Sequence, residues 1–484
     1  MAARSDAESV RFGTDGWRAI IAKEYTFDNV ARVAQAVADF LQSDERVSDP
    51  IYTDWNSPCH PLSGGVVIGY DTRFLSESFA LHCAAVLQQN GIPVVVSDPF
   101  VPTPAVSYAV VNRQAAMGIV ITSSHNPPEY NGLKLKADYG GSAPGSITRQ
   151  VEQRLPAEAP AVSPSEIERV DLITPYMAKI EELIDRDRLT ASPIHVVVDA
   201  MYGSAQGLIS GFLSASGISC TEVRGTVDVT FGGHGPEPLE KNLGPLREAM
   251  LSMRSVERTI GVVTDGDGDR ACAMDEKGQF IDPHRTSALL LRYLVEERGW
   301  RGPIVVSFNL SDLVRRMANA YGLELIEIPI GFKHAAEHIV QRDILMAGEE
   351  SGSYTVRGNI PERDGVLVSL LLAEILATSS KTASELVADL HAEFGPQAYA
   401  RRDLHVEARL QIVSNLKASP PEQFAGHSVR SVETLDGIKL RFKDGWLLFR
   451  ASGTEPILRI YCEMTTEEDV RQLLDAAEEL ARGE

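Results

Sequence analysis

Short runs of β-branched residues alternate along the chain with longer segments whose apolar positions recur every three to four residues. That alternation reads as α/β, with strands in the first kind of run and helices in the second. The spacing predicts strands at 65–71, 93–98, 117–122, 194–200, 259–264 and 303–308. It predicts helices over 28–42, 76–90, 174–186, 284–297, 310–321, 333–341, 365–377 and 466–482. Three apolar runs break into polar loops: MGIVIT into SSHNPPEYNGLK, TIGVVT into DGDGDR, and DILMA into GEESGSYTVR. The loops are widely spaced, as if three α/β units each supplied one. In open α/β sheets ligands gather beyond the carboxyl ends of strands, so the three could converge on one cleft. From about Tyr399 the pattern changes to LHVEARL, IKLRFK, WLLFRAS and ILRIYCE, expected strands ahead of a helix, which reads as an α+β lid. The loop-like stretch PAEAPAVSPSE at 156–166 sets the first boundary.

A chain of 484 residues is too long for one hydrophobic core. With 44% hydrophobic and 23% charged residues it reads as globular rather than disordered. A net charge of −21 leaves no basic field for nucleic acid and no polybasic membrane contact, so neither partner is expected. An anionic substrate must then be drawn by local basic groups. Cys59, Cys83, Cys220, Cys272 and Cys462 lie far apart with no CxxC pair, which fits a reducing compartment. The N-terminus has no apolar signal core and no apolar run reaches about 18 residues, so a cytoplasmic location is expected.

In DGDGDR, Asp265, Asp267 and Asp269 alternate with glycines, and an extended loop would turn all three carboxylates to one side. An oxygen-only donor set suits a hard cation such as Mg²⁺ or Ca²⁺. With Glu276 at the twelfth position the segment superficially fits EF-hand spacing. Arg270, however, occupies the sixth position, where the calcium loop needs glycine, and the flanks read as strands. Arg270 inside the acidic cluster instead suggests an anion beside the metal. Ser124 ends a buried strand and is followed by His125, a proline pair and Lys134. A metal close to the serine oxygen could activate it, or offset the charge of a phosphate it carries. No GxSxG elbow is present. Glu349 and Ser351 lie two apart and would face the same way in an extended segment, which suits paired contacts to sugar hydroxyls. In RASGTEPILR, Arg450, Ser452, Gly453, Thr454 and Arg459 have the composition of a phosphate cradle.

Together with FGTDGWR at 12–18, these segments resemble the α-D-phosphohexomutase family of phosphoglucomutases and phosphomannomutases. TSSHNP at 122–127, DGDGDR at 265–270, GEESG at 348–352 and RASGTEP at 450–456 follow in the family's order and span nearly the whole chain. The resemblance implies three similar α/β domains with mixed sheets plus a C-terminal α+β domain around a central active-site cleft. Here these would be 1–171, 172–281, 282–398 and 399–484, carrying the phosphoserine, metal, sugar and phosphate loops in turn. It implies an intramolecular phosphotransferase, an isomerase in which Ser124 carries the phosphoryl group and Asp265, Asp267 and Asp269 hold Mg²⁺ beside it. Arg18 and Arg270 would contact the phosphoserine region. Lys134 and His125 would assist proton transfer, and Lys333 in PIGFKH would be a second basic group in the cleft. Glu349 and Ser351 would bind the sugar 3- and 4-hydroxyls. Arg450, Ser452, Gly453, Thr454 and Arg459 would hold the non-reacting phosphate, and glucose 1,6-bisphosphate would act as activator.

The sequence departs from the family pattern in places. Ser123 stands where many members have alanine, and Ser353 follows GEESG where several have His. GEES, rather than the GEQS of phosphoglucosamine mutases, leans away from an amino sugar. The expected substrate is a hexose phosphate, glucose ahead of mannose or glucosamine. A non-catalytic sugar-phosphate-binding regulator and a metal phosphatase are the rival readings, and the intact nucleophile counts against the regulator. The oligomeric state, monomer or homodimer, stays open.

Overall fold

The computed structural model describes residues 10–13, 15–55, 57–163, 165–253, 258–452 and 456–483. Its first sheet has the strand order Trp17–Ile20, Tyr130–Lys136, Met117–Ile121, Val66–Tyr70, Val94–Ser97 and Glu168–Val170. The second runs Phe280–Ile281, Ala271–Met274, Thr259–Thr264, His195–Asp199 and Ser219–Val223, and the third Leu325–Ile328, Ile304–Ser307, Met346–Gly348 and Tyr354–Val356. All three sheets are mixed, and they share one local plan. A strand paired in parallel on one side ends in a polar loop, and the chain returns antiparallel on the other side. Met117–Ile121 returns as Tyr130–Lys136, Thr259–Thr264 as Ala271–Met274, and Met346–Gly348 as Tyr354–Val356. The three connecting loops are the three segments singled out by the sequence. A fourth sheet is antiparallel throughout, in the order Ala398–His405, Ile457–Met464, Trp446–Ala451, Ile438–Arg441 and Ser431–Glu433.

Each expected strand of the first three sheets forms within a residue or two of its predicted place, and all but Val94–Ser97, which is half-buried at its start, are runs buried on both faces. The helix Gly365–Thr378, GVLVSLLLAEILAT, is apolar on all sides, and such a helix has to sit inside a core. It does, with Asp364 capping it by accepting from the Leu367 amide (2.9 Å) and the Tyr176 hydroxyl (2.7 Å). One apolar core runs unbroken past it, from Val106 and Val120 through Val196 and Val262 to Ile304 and Leu345. The C-terminal unit keeps a separate core of Leu440, Leu447, Phe449, Ile460 and Leu473. It meets the third unit through a small cluster of Phe308, Trp446, Leu448 and Tyr461.

Several sequence expectations shift. LHVEARL is not a strand throughout: the strand ends at His405, and Arg409–Ala418 is helical. The helix expected to start at 310 starts at Asp312, because the Ser311 hydroxyl accepts from the Leu313 amide (2.9 Å) and caps it there. The helix expected over 284–297 is α-helical only for Pro283–Arg292 and widens to a π-turn over Tyr293–Glu297. Helices Thr103–Asn112 and Gly244–Ser252 had no expectation, since both begin at Pro-containing turns that read as loop. Among the described residues no single helix is long and apolar enough to cross a membrane, and the pair that passes together, Gly365–Thr378 and Ala383–Phe394, is bent by 86°.

Candidate active site

Strand Met117–Ile121 delivers Ser124 in a left-handed backbone conformation (φ 51°), which costs a non-glycine residue about 1–3 kcal/mol unless its surroundings hold it. The Ser124 amide donates to Thr122 Oγ1 (2.9 Å) and its carbonyl accepts from Arg73 Nη2 (2.7 Å). Its hydroxyl donates to Asp265 Oδ2 at 2.8 Å, with His125 Nδ1 at 3.4 Å. The Ser123 hydroxyl, by contrast, is buried without a hydrogen-bond partner. Of the two neighbouring serines, only Ser124 addresses the acidic loop.

That loop is a turn, not the extended segment the sequence suggested. Asp265 Oδ1 accepts from the amides of Asp269 and Arg270, both at 3.1 Å, which folds the chain back on itself. Gly268 takes φ +69°, and a Cβ on Gly266 would lie 2.6 Å from the Ser124 carbonyl oxygen, so the metal loop and the serine loop touch backbone to backbone. The turn still gathers the three aspartates: one oxygen from each lies within 4.8 Å of the others, and all three residues are fully buried. Lys134 Nζ sits 2.8 Å from both Asp267 Oδ2 and Asp269 Oδ2, and 2.7 Å from Asp15 Oδ2. The Oδ1 atoms of Asp267 and Asp269 have no hydrogen-bond partner. Buried carboxylate oxygens without donors are costly, and a divalent cation would satisfy both. The oxygen-only set therefore fits Mg²⁺, with Asp265, Asp267, Asp269 and the Ser124 oxygen to hold it. An EF-hand is excluded by the flanking strands and by Glu276, whose carboxylate accepts from the Ser384 amide at 3.2 Å.

Burial, with Asp267 and Asp269 alongside, pushes the Asp265 carboxyl well above the usual range. Burial acts on Asp267 in the same direction, but the Lys134 ammonium, the Thr103 hydroxyl and Arg363 together outweigh it and hold that carboxylate low. Burial, reinforced by Arg270, Arg18 and Lys134, keeps the His125 ring neutral. Arg18 Nη1 donates to Asn126 Oδ1 (3.0 Å), and Arg270 Nε lies 3.7 Å from Asp265 Oδ2. Two residues that sequence reasoning missed complete this cluster. Asp15 lies inside FGTDGWR, where only Arg18 drew notice, and it takes the Lys134 ammonium, Arg18 Nη2 (3.5 Å) and Arg363. Arg363, in PERD ahead of the core helix, also bonds Asp269 Oδ2 at 2.7 Å. Asp15, Asp265, Asp267 and Asp269 thus face Lys134, Arg363, Arg18 and Arg270, and Glu237 lies 3.5 Å from Arg270 Nη1.

The third loop is also a turn, with Gly352 at φ +83°. Its ends meet the metal loop: the Ala271 amide donates to the Gly352 carbonyl (2.8 Å) and Arg270 pairs with Ser353 in an isolated bridge. Glu349 is nearly buried, and burial raises its carboxyl. Its Oε1 accepts from the Gly331 amide (2.7 Å), while Oε2 and the Ser351 hydroxyl lie 3.5 Å apart, so the two do share one side. Glu350 points elsewhere, to the Tyr399 hydroxyl (2.8 Å), Arg401 and Asn309. The difference between GEES and GEQS falls on that residue. In this structure that residue makes the contact with the C-terminal unit.

In the C-terminal unit, Arg450 and Arg459 sit opposite each other across two antiparallel strands. Arg450 Nε donates to Asp436 Oδ2 (3.0 Å), and Arg459 Nε lies 3.8 Å from Asp403. The Ser452 amide bonds the Ile457 carbonyl (2.8 Å), and its own carbonyl accepts from Arg409 (2.9 Å), which fixes both ends of the expected cradle. Gly453 and Thr454 lie outside the described residues. Asp436 Oδ2 also accepts from the Ile330 amide (3.0 Å). The turn 330–333 is therefore held by the cradle's aspartate at one amide and by Glu349 at the next. Lys333 opens the helix that follows, and burial lowers its ammonium against the pull of Asp15. No sequence signal marked Asp436, which joins Arg450 of its own unit to Ile330, 106 positions away.

Four stretches match the domain families of phosphoglucomutase/phosphomannomutase: alpha/beta/alpha domain I over residues 9–161, domain II over 174–278, domain III over 282–394 and the C-terminal domain over 408–480. A phosphoglucomutase/phosphomannomutase of Thermococcus kodakarensis is 32% identical over 470 residues, covering 96% of each chain. A protein of Methanosphaera stadtmanae assigned as a phosphoglucosamine mutase is 29% identical over 466 residues, again 96% of each. A crystal structure from Thermus thermophilus, assigned to the phosphomannomutases, superposes with a TM-score of 0.85 at 34% identity, covering 98% of this chain and 99% of that one. The chain belongs to the phosphoglucomutase/phosphomannomutase family, the α-D-phosphohexomutases, isomerases that move a phosphoryl group within a hexose phosphate.

Proposed function

We propose that the protein interconverts hexose 1-phosphate and hexose 6-phosphate through phospho-Ser124, with glucose the preferred sugar and mannose accepted. The observation that carries this is the Ser124 hydroxyl on Asp265 at 2.8 Å, in a loop where Asp267 Oδ1 and Asp269 Oδ1 are buried without donors. Phospho-Ser124 gives its phosphoryl to the free hydroxyl of the bound sugar, and the bisphosphorylated sugar turns over and returns the other phosphate to Ser124. Asp265, Asp267, Asp269 and the serine oxygen would hold Mg²⁺, which when bound would supply positive charge beside the phosphoryl group. A phosphoryl on Ser124 adds about −1.5 to −2, which one bound divalent cation would match. Arg18 and Arg270 steady the phosphoryl oxygens. His125, neutral and beside Ser124 Oγ, accepts the proton of the attacking hydroxyl. Lys134 is engaged with three carboxylates, so we assign it first to holding those ligands and then to proton transfer.

Glu349 and Ser351 read the 3- and 4-hydroxyls, and Arg450, Ser452, Gly453, Thr454 and Arg459 hold the phosphate that is not reacting, with Lys333 between the two sites. Because the bisphosphate must stay bound while it reorients, its loss leaves Ser124 bare, and glucose 1,6-bisphosphate acts as the activator that reloads it. We read the chain as domains 1–171, 172–281, 282–398 and 399–484, a division supported by the membership of the four sheets. The setting we propose is the cytoplasm, in keeping with five free thiols.

The choice of a neutral hexose draws on the relative named for both phosphoglucomutase and phosphomannomutase. The relative assigned as a phosphoglucosamine mutase favours a second reading, an amino sugar. Side-by-side rates with glucose 1-phosphate, mannose 1-phosphate and glucosamine 1-phosphate decide between them. Glucose and mannose should fall within roughly a thousandfold of each other, about 4 kcal/mol, since Glu349 and Ser351 touch hydroxyls the two share. Glucosamine 1-phosphate as the best substrate would overturn the choice.

A further inference from the structure

Arg73 has no part in the chemistry above, yet its side chain is fully buried and spends its donors on the serine loop. Nη2 donates to the carbonyls of Ser124 (2.7 Å) and Asn126 (2.6 Å). Nη1 donates to those of Pro127 (2.8 Å) and Tyr130 (3.0 Å). One guanidinium thus gathers four carbonyls of a single loop. Asp71, 3.2 Å from Arg73 Nε, accepts from the Thr122 hydroxyl (2.6 Å), and Thr122 Oγ1 in turn accepts from the Ser124 amide. Asp71, Thr122, Ser124 and Arg73 therefore close a ring that grips the peptide groups on both sides of Ser124. The Phe231 ring of the second unit lies over the guanidinium at 4.9 Å, and Gly266 packs on the Ser124 carbonyl.

We propose that Arg73 is a positioning residue of phosphoryl transfer. It fixes Ser124 in its left-handed conformation against the metal loop and so decides whether the phosphoryl group passes to sugar or to water. This rests on reading Ser124 as the phosphoryl carrier. In the productive step the sugar oxygen bonds to phosphorus as the P–Oγ bond breaks, with the electron pair left on Oγ and the hydroxyl proton passed to a base. In the wasteful step a water oxygen bonds to phosphorus instead, Oγ takes up a water proton, and inorganic phosphate leaves. A tethered sugar hydroxyl needs the phosphoryl group in one place, whereas water, small and free, does not. A loosened loop therefore slows the first step more than the second.

The test is Arg73→Lys, which keeps the charge beside Asp71 but cannot reach four carbonyls. Hydrogen exchange of the peptide spanning 122–131 should speed up by roughly tenfold or more, with the rest of the chain unchanged. Inorganic phosphate released per mutase turnover should rise by about tenfold or more as kcat falls, while KM for the hexose phosphate stays within about twofold. Thr122→Val cuts the ring at its other half and should act in the same direction, which settles the matter if Arg73→Lys does not fold. Thr122→Ser, which returns the hydroxyl, should bring both readouts back towards the parent. Unchanged exchange and an unchanged phosphate ratio would overturn the proposal, as would a rise in KM at constant kcat. If Ser124 carries no phosphoryl group in the parent enzyme, the reading under Proposed function fails. The exchange experiment then still judges the ring.

Discussion

Where the first and second units meet, backbone touches backbone: Gly266 packs on the Ser124 carbonyl, and the Thr103 amide donates to the Asp267 carbonyl at 2.8 Å. Where the third and C-terminal units meet, a four-residue apolar cluster is bordered by charged side chains. Arg441 reaches Asp312 at 2.6 Å, and Lys439 lies over the Phe308 and Trp446 rings at 4.0 and 4.7 Å with Glu327 at 3.9 Å. The first contact belongs to the core shared by three units, and shifting it breaks fully buried hydrogen bonds. The second joins two separate cores through side chains that can be rehydrated when they part. The division suits the proposed chemistry. The phosphoryl carrier and its metal loop have to hold still, while the cradle has to release a bisphosphate far enough for it to turn.

The strongest way to break this comparison is at the fixed junction. Ser124→Ala should lower turnover by on the order of 10³-fold or more. It should cost less than about 1.5 kcal/mol of stability, since one hydroxyl bond is lost. Next comes Asp267→Asn, expected to lower turnover by roughly 10²-fold or more by removing a charged metal ligand. Lys134 retains Asp15 and Asp269, so the fold should survive, and metal-free melting should shift only slightly. EDTA should abolish activity reversibly without unfolding the protein; unfolding on chelation would mean that the metal is structural. At the seam between the third and C-terminal units the effects should be smaller. Arg450→Ala should lower kcat/KM by roughly 1.5–3 kcal/mol, the worth of a charge-assisted hydrogen bond, and equally in both directions of the reaction. A loss confined to one direction would contradict a cradle that serves both binding modes.

How much of this was readable in the sequence follows the same division. Ser124 and the aspartates were legible because each sits in a short loop after a continuous apolar run, where local pattern and chemistry coincide. Their supports were not. Arg363 and Asp15 pair across 348 positions of the chain, and Asp436 finds Ile330 from the other side of a unit boundary. Periodicity carries no information about such partners. The loops were expected to be extended, because alternating polar residues look alike in a strand and in a glycine turn. Gly268 and Gly352 at positive φ settled that. Glu350 was read with its neighbours as part of the sugar loop, and only the fold shows it facing Tyr399.

The smallest predicted effect sharpens the contrast through pH. Burial, with Asp312 nearby, raises Glu463 from its ordinary 4.5 to about 8, and this carboxyl accepts the Asp312 amide at 3.1 and 3.2 Å. Its contribution is complete below 4.5 and is lost as pH rises towards 8. Burial, with Arg441 beside it, lowers Lys439 from 10.5 to about 8, so its contribution is complete above 10.5 and is lost as pH falls towards 8. The seam should therefore be weakest near pH 8. Exchange at the Asp312 amide, corrected for its intrinsic rate, should be fastest there, while exchange at the Thr103 amide of the fixed junction should show no such optimum. Matching profiles at the two amides would mean that the seams are not mechanically distinct.

The central claim is that the phosphoryl group travels by way of Ser124, and one labelling experiment addresses it directly. Phosphatase-treated enzyme is mixed with glucose 1,6-bisphosphate carrying labelled phosphoryl groups, quenched within a turnover, and mapped by peptide mass spectrometry. The account predicts label on Ser124, none on Ser123, and activity returning in step with that label. Full activity in enzyme whose Ser124 stays unlabelled, or label on Ser123, would contradict it.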